Sequence, residues 1–341
     1  MKKHYMNNID IDIVVLWVDG NDPLWQKEKE QYSQKRDSSK DSARYRDWNI
    51  LPYWFRGVET FLPWIRKIHF VTWGHLPRWL NVNHPKLHIV NHKDFIPKEY
   101  LPTFNSPTIE MNIHRIDGLS EHFIYFNDDM FVLKPMSKED FFVEGHPCET
   151  AIMNAISCVP GWENESYIQF NNAGIINKHF NKKKVIRNNV SKWLSLKYGK
   201  QLYRNIILSS WPYFTGFYTN HLPTSMKKDT FEQIWDNEFP LLNKMCKHKF
   251  RSPDMVNQWL IAEWQMCQGD FVPRSPGIGK TFSISENPIG NRQIFDAISN
   301  QEYNLICIND YIYDDGLFDN LQIELEKSFQ KILANKSSYE I

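Results

Sequence analysis

No stretch of this 341-residue chain offers the ~20 consecutive apolar residues that a membrane span requires. The opening MKKHYMNNIDID is basic but has no apolar run behind it to act as a secretory signal. The expected place of action is therefore the cytoplasm. Cysteine is sparse. Cys148, Cys158, Cys246, Cys267 and Cys307 are odd in number and show no CxxC spacing, which argues against a disulfide framework or a structural zinc and fits a reducing compartment. Net charge is missing as well: Lys plus Arg and Asp plus Glu number 40 each, so no overall field draws the protein to nucleic acid or lipid, and any anion site must be local. The chain also lacks internal repeats, low-complexity tracts and a Pro/Gly/Ser linker, so a second half folded onto the first is expected rather than an independent domain.

Aromatic residues, by contrast, make up 15% of the chain and include 13 tryptophans, a content that suits both a thick core and a sugar-stacking surface. Residues 11–18 (IDIVVLWV) are apolar nearly throughout, as a doubly covered parallel strand is, and end at the turn signal Asp19-Gly20-Asn21-Asp22-Pro23. Residues 35–42 (KRDSSKDS) read as a mobile loop able to close over a substrate. The pattern predicts a helix over 47–61, strands over 68–73 and 87–91, and a helix from Ser106-Pro107 to Gly118 whose buried stripe is Ile109, Ile113 and Ile116. Further on, 161–166 and 171–174 read as loops and 182–218 as mostly helical, its Lys182-Lys183-Lys184 run a solvated face. Helices are expected over 230–247, 253–268 and 320–333, with a short strand at 305–308.

The segment HFIYFNDDMFVLKP (122–135) carries the chemistry. A buried strand over 123–126 runs into Asn127, Asp128 and Asp129, and in open α/β sheets ligands gather beyond the carboxyl ends of strands. Two adjacent carboxylates repel unless a cation joins them. Hard oxygen ligands suit Mg²⁺ or Mn²⁺, which commonly bridge protein carboxylates to phosphates, so a nucleotide-linked substrate is expected.

Four pieces of the chain together resemble the Stealth family of hexose-1-phosphate transferases: DIVVLWVDGNDP (12–23), RYRDWNILPYWFRGVETFLPWIRKIHFVTWGHLPRWL (44–80), SPTIEMNIHRIDGLSEHFIYFNDDMFVLKP (106–135), and a distal set of His221-Leu222-Pro223, Phe250-Arg251-Ser252 and Cys307-Ile308-Asn309-Asp310. The resemblance implies a Rossmann-like, nucleotide-diphospho-sugar (GT-A-like) core with a mostly parallel sheet over 1–145. It also implies helical additions over 146–341 that carry the acceptor side and complete the active site. It implies transfer of a sugar 1-phosphate from a UDP-sugar, UDP-GlcNAc or a UDP-hexose, to a glycan hydroxyl with release of UMP, as in bacterial capsular or cell-wall polysaccharide synthesis and the related animal GlcNAc-1-phosphotransferase. Where the animal relatives carry an acidic residue and an arginine, this chain has Ile50 and Pro52, and a helix irregularity is expected at the proline.

Attack on a diphosphate needs neutralised charge, an oriented hydroxyl and a stabilised leaving phosphate. Asp128 and Asp129 are the candidate metal ligands, with Asp310 at the end of another strand as a third. Arg44, Arg56, Arg115 and Arg251 are candidate phosphate clamps, since guanidinium forks match phosphate oxygens. The family pattern carries a histidine at His114 and at His221, and His221 is expected to be the general base. Glu110, one turn before His114, is expected to orient it or to bind substrate. Asp22 is expected at the donor nucleotide, and Asp19 shares its place in the turn. The partners implied are the UDP-sugar and an oligosaccharide or lipid-linked glycan acceptor, with no nucleic acid. A conventional glycosyltransferase releasing UDP and a non-catalytic carbohydrate-binding protein remain alternatives. So does a membrane-surface contact by 182–218 through Trp193, Tyr198, Tyr203 and Trp211, although core helix is the first reading of that segment.

Overall fold

A computed structural model of the chain describes residues 9–33, 45–157, 165–312 and 314–341. Its central sheet is built from β1 (Ile11–Leu16), β2 (Ile68–Thr72), β3 (Leu87–Asn91) and β4 (His122–Asn127) in the order β3-β2-β1-β4, all parallel. Three smaller strands follow: β5 (Met130–Val132), β6 (Phe142–Val143) and β7 (His146–Glu149). The distal half then adds β8 (Thr224–Lys227), β9 (Val272–Pro273), β10 (Gly279–Ile284) and β11 (Leu305–Asp310). β8 closes the central sheet antiparallel to β4, β10-β11-β5 form a second sheet, and β6-β7-β9 form a third. The α/β core with a mostly parallel sheet is thus observed.

The helices are α1 (Pro23–Tyr32), α2 (Leu51–Phe61), α3 (His92–Phe95), α4 (Ser106–Glu110), α5 (Glu165–His179), α6 (Lys182–Asn188), α7 (Val190–Trp193), α8 (Leu202–Leu208), α9 (Lys228–Cys246), α10 (Trp259–Gln268), α11 (Pro288–Ser299) and α12 (Asp315–Ile332). They cover both faces of the central sheet. Alternate residues of β1 point to opposite sides: Ile13 and Val15 pack with Trp54 and Phe55 of α2 and Phe329 of α12, whereas Val14 packs in a second cluster that contains Phe231, Trp235 and Trp264. Burial on both sides explains the near-continuous apolar runs of these strands. It also brings all four parallel strands to an end at one rim, where the turns after β1 and β4 are neighbours, since Leu16 pairs with Asn127.

Several expected elements differ, each for a physical reason. α2 begins at Leu51 rather than at 47, because Pro52 occupies its first turn, where the missing N–H costs nothing; no irregularity occurs there, and residues 47–50 are left outside the helix. The helix expected to reach Gly118 stops at Glu110 and resumes only as a 3₁₀ turn at Ile113–Arg115, so the i, i+4 register between Glu110 and His114 is lost. Gly118 does adopt the left-handed backbone (φ 69°) that suits a terminator. Residues 171–174 lie inside α5, not in a loop. Tertiary bonds override their weak helix propensity, as Asn171 donates to the carbonyls of Pro253 and Met255 and Asn172 to Asn257. Lys182 is buried rather than solvated; its ammonium donates to the carbonyls of Leu208, Trp211 and Tyr213. Helix in this stretch ends at Leu208, and α10 starts at Trp259 rather than at 253.

Candidate active site

At the carboxyl rim of the sheet, Asp128 and Asp129 occupy the turn between β4 and β5. Ile308 of β11 pins that turn by donating to the Asp129 carbonyl at 3.0 Å. One carboxylate oxygen of Asp129 is buried with no hydrogen-bond partner among the described residues. Solvent still reaches Asp128, but the surrounding recess and then the charges of Asp129 and Asp47 push its carboxyl up to about 8. Asp47 is itself raised, by the protein around it and by Asp19. Four carboxylates from three chain segments therefore share one negative field. Asp47 could join them only because α2 starts after it.

His221, just before β8, stands beside this turn. Its Nε2 lies 2.8 Å from Nδ2 of Asn127 and its Nδ1 lies 3.6 Å from Sγ of Cys307, while its ring edge meets Trp259. A carboxylate oxygen of Asp129, a ring nitrogen of His221 and Sγ of Cys307 all fall within 4.8 Å of one another. Behind Asn127 a buried chain leads inward. Tyr125 Oη donates to Asn127 Oδ1 at 2.5 Å and is hydrogen-bonded to Glu110, whose carboxylate accepts from the Gln258 amide at 3.3 Å. Burial raises the Glu110 pKa, and the Gln258 N–H, Arg251 and His221 each moderate the rise. Arg251 reaches the same place, donating to Ser106 Oγ at 3.2 Å. Glu110 thus acts toward His221 and Arg251, and the orientation of His114 by Glu110 is not observed.

The turn after β1 forms the other side of the rim. Gly20 is required there, because a Cβ at this position would stand 2.2 Å from the Tyr45 carbonyl oxygen. Asp22 caps α1, accepting from the amides of Leu24 and Trp25 at 2.8 and 2.9 Å. His75 Nε2 accepts from the Asp19 amide at 2.7 Å, which leaves the ring proton on Nδ1, 3.6 Å from Asp22. Burial lowers the His75 pKa despite Asp22 and Asp19. Asp310 is close in sequence to Ile308 but turns aside: its carboxylate accepts from Trp48 Nε1 at 3.1 Å and from its own turn at Ile312, and it pairs with Arg46 at 3.7 Å. It is absent from the charges that act on Asp128.

The remaining expected residues are placed elsewhere. His114 is packed against Phe231 and Trp235 with its pKa pushed down to about 3 by burial and then by Arg115 and Lys228. It belongs to the opposite rim, where Lys228 donates to Glu121 beside the start of β4, ~17 Å along that strand from Asn127. Arg115 bonds Asn112 and stacks over Trp235. Arg56, midway along α2, is clasped by Glu340 through two hydrogen bonds of 2.8 and 2.7 Å and by the Leu333 carbonyl, so it anchors the carboxyl-terminal tail. Arg44 and the loop at 35–42 lie outside the described residues.

A cavity opens beside His221, lined in part by Glu149, Thr219, Asn220, Trp259, Glu263 and Arg274. Burial pushes Glu149 up to about 7, partly offset by Arg274, and raises Glu263 well above the carboxylate range. One oxygen of each carboxylate and two guanidinium nitrogens of Arg274 are buried there without partners among the described residues. None of this was read from the sequence. Nor were Asp47, Cys307 and Tyr125, although Tyr125 and Asn127, two apart on one strand, share a face and so carried a usable signal.

Two family models match the chain: Stealth protein CR1, conserved region 1, over residues 10–37, and Stealth protein CR2, conserved region 2, over residues 44–150. The chain is 41% identical over 339 residues to a capsular polysaccharide phosphotransferase WcwK of Streptococcus pneumoniae, covering 98% of this chain and 99% of that protein. It is 38% identical to exopolysaccharide phosphotransferase cps2G of Lactiplantibacillus plantarum, over 97% of this chain and 96% of that one. Identity with receptor polysaccharide phosphotransferase WefC of Streptococcus gordonii is 37%, over 97% and 99%. Among solved structures, the apo form of mouse xyloside xylosyltransferase 1 aligns over 88% of this chain and 98% of its own with a TM-score of 0.33 and 9% identity, too slight a likeness to carry weight.

Proposed function

This chain belongs to the Stealth family, and we propose that it is a polysaccharide phosphotransferase that moves a sugar 1-phosphate from a UDP-sugar to a glycan hydroxyl and releases UMP. Transferase activity in capsular or exopolysaccharide synthesis rests on relatives aligned over nearly its whole length. The finer reading rests on one observation above all: the mutually repelling carboxylates of Asp128, Asp129 and Asp47 at the strand-end rim, with His221 beside Asp129.

That rim fits a divalent metal, because a buried Asp129 oxygen lacks a partner among the described residues and the neighbouring carboxylates repel. Asp128 and Asp129, with Asp47 behind them, would hold Mg²⁺ or Mn²⁺, which when bound neutralises pyrophosphate charge. Arg251 supplies a guanidinium fork for the transferred phosphoryl oxygens, steadied by Ser106 and by the charge of Glu110. Asp22 and Asp19, braced by His75, line the donor side. His221 accepts the proton of the attacking hydroxyl. The new oxygen–phosphorus bond forms at the sugar-bearing phosphorus, and the bond from that phosphorus to UMP breaks.

Tyr125, Asn127 and His221 can each donate and accept, so the chain inward to Glu110 can run in either direction. With Glu110 ionised, Tyr125 donates to it, the rotated Asn127 amide accepts from Nε2, and Nδ1 holds the lone pair that a base needs. The distal half carries the acceptor side: the cavity of Glu149, Glu263 and Arg274, with Trp259 for stacking, offers polar groups to sugar hydroxyls. Incubating the protein with Mg²⁺, a glycan acceptor and a panel of UDP-hexoses tests this reading by nucleotide chromatography and phosphorus NMR. UMP with a phosphodiester product is expected; UDP with a phosphorus-free glycan would make it a conventional glycosyltransferase.

A further inference from the structure

From Ser166 to Lys228 the sequence contains no aspartate or glutamate but 11 lysines and arginines, in a chain whose total charge is balanced. Within this stretch α8 also carries an outward apolar stripe. Tyr203, Ile206 and Ile207, spaced i, i+3 and i+4, face solvent with 53%, 59% and 56% of their surface exposed. The inward face packs Leu202 and Leu208, partly buried, against the core, and buried Asn205 pins it by donating to the carbonyls of Ala151 and Trp193 at 2.7 and 2.6 Å and accepting from the Met153 amide at 2.6 Å. Leu196 nearby is 87% exposed, and Trp211 and Tyr213 follow α8 with roughly half or more of their surface bare. The buried Lys182 ammonium grips the carbonyls of Leu208, Trp211 and Tyr213, so the apolar residues are presented on a braced segment. Trp193 and Tyr198, named in the alternative membrane-surface reading of this segment, are core residues, as the first reading of core helix expects.

Around this stripe Lys183, Lys184, Arg187, Lys197 and Lys200 are exposed, and among the described residues none is in an ion pair with a carboxylate. We infer that this face docks on an anionic phospholipid surface, with Leu196, Ile206, Ile207 and Trp211 entering the headgroup boundary and the five cations meeting lipid phosphates. Aliphatic and aromatic side chains flanked by lysine and arginine are the composition of an interfacial anchor, and Trp and Tyr favour the headgroup level. A second copy fits less well, because two-fold pairing would set the same cations against one another. The docked stretch leads by residues 214–220 to His221, and Phe217 is bridged to Met153 on the way. Docking stands on this surface alone. Its use, holding the rim toward an acceptor borne by a membrane, rests on the phosphotransferase reading.

The test is co-sedimentation of the full chain with phosphatidylcholine vesicles, with and without one third phosphatidylglycerol, alongside phosphotransfer to a soluble acceptor. Binding is expected to the anionic vesicles only and to fall in 1 M salt, where the screening length is about 3 Å. The pair Ile206→Glu with Ile207→Glu, and separately Lys197→Glu with Lys200→Glu, should each lower partitioning at least about tenfold while soluble-acceptor turnover is unchanged. Absence of vesicle binding, equal binding to neutral vesicles, or wild-type binding by both variants would overturn the inference. A concentration-dependent dimer abolished by the isoleucine pair would do so as well, by assigning the face to a second copy. Loss of vesicle binding with turnover intact would uphold docking, whereas loss of turnover in the wild-type protein would count only against the phosphotransferase reading.

Discussion

Replacing His221 by alanine separates two roles that its surroundings allow. The ring bridges Asn127 at 2.8 Å and Cys307 at 3.6 Å, and it stands within 4.8 Å of an Asp129 oxygen, so it is placed either to take a proton or to ligate a metal. As a base its loss removes about 10²–10⁴ in rate, which at about 1.36 kcal/mol per decade is roughly 3–5 kcal/mol of transition-state stabilisation. The structural cost is smaller. One polar group of the half-buried Asn127 amide loses its partner, at about 1–2 kcal/mol. With about 2.1 cal/mol/K per residue over 341 residues, the unfolding entropy is about 0.7 kcal/mol/K, so the melting temperature should fall by only about 2 °C. Single-turnover UMP release at saturating donor and Mg²⁺, with calorimetric titration of metal and donor, reads both effects. A rate loss of at least about 100-fold with metal and donor affinities unchanged within about threefold fits the base. A rate that recovers at high metal concentration, with metal affinity down 100-fold or more, would refute the base assignment and make Asp129, His221 and Cys307 a ligand set.

Other substitutions probe neighbouring parts of the rim. Asp129→Asn should abolish metal-dependent turnover with little change in melting temperature; wild-type activity in that variant would remove the metal assignment. Arg251→Lys should lower kcat/KM by at least about tenfold, since an ammonium cannot form the guanidinium fork, and a neutral result would mark Arg251 as structural. Asp12→Asn tests the far end of β1, where the fully buried carboxylate meets Arg66, His69 and the Ser120 amide. Truncating such a buried partner costs about 3 kcal/mol at the exposed-Arg66 end of the range, hence about 4 °C at neutral pH with activity retained. Burial raises the Asp12 pKa, but bonds from His69, Arg66 and Ser120 outweigh it and hold it below its ordinary value of 3.8. The stabilisation is therefore present above pH 3.8 and lost as pH falls through the lower folded value, so the gap between Asp12→Asn and wild type in thermal melts should close in acid.

What could be read from the sequence was mostly local. The runs that became β1 to β4 are buried on both faces and keep their apolar character regardless of what packs on them, so their strand identity and the placing of Asp128 and Asp129 at the rim were legible. Boundaries set by distant contacts were not. Residues 171–174 look like a loop until Asn171 and Asn172 find partners near 253–257, and Lys182 looks like a surface residue until three carbonyls from 208–213 close around it. Glu110 and His114 fall on one helical face only if the helix continues, and it does not; Glu110 then meets Tyr125 at the carboxyl rim while His114 goes to the opposite one. An arginine in a motif carries no sign of its partner, which is why Arg56 suggested a phosphate clamp before Glu340 was seen to hold it.

The rim itself is the least local part of the molecule, and that has a consequence for how the site is made. Asp19 comes from the turn after β1, Asp47 from the segment before α2, Asp128 and Asp129 from the turn after β4, His221 from the approach to β8, and Cys307 from β11. Two of these arrivals depend on sheet pairing across the chain: β8 docks antiparallel on β4, setting His221 beside Asn127, and β11 docks antiparallel on β5, setting Cys307 opposite Met130. Residues 1–145 contribute carboxylates that repel one another, whereas the histidine, the Cys307 thiol and Arg251 all come later. A rim assembled in this way gains the proposed base His221 and the proposed phosphate-facing Arg251 only from the distal half, so on this reading the two halves cannot be divided into a donor unit and an acceptor unit that work apart.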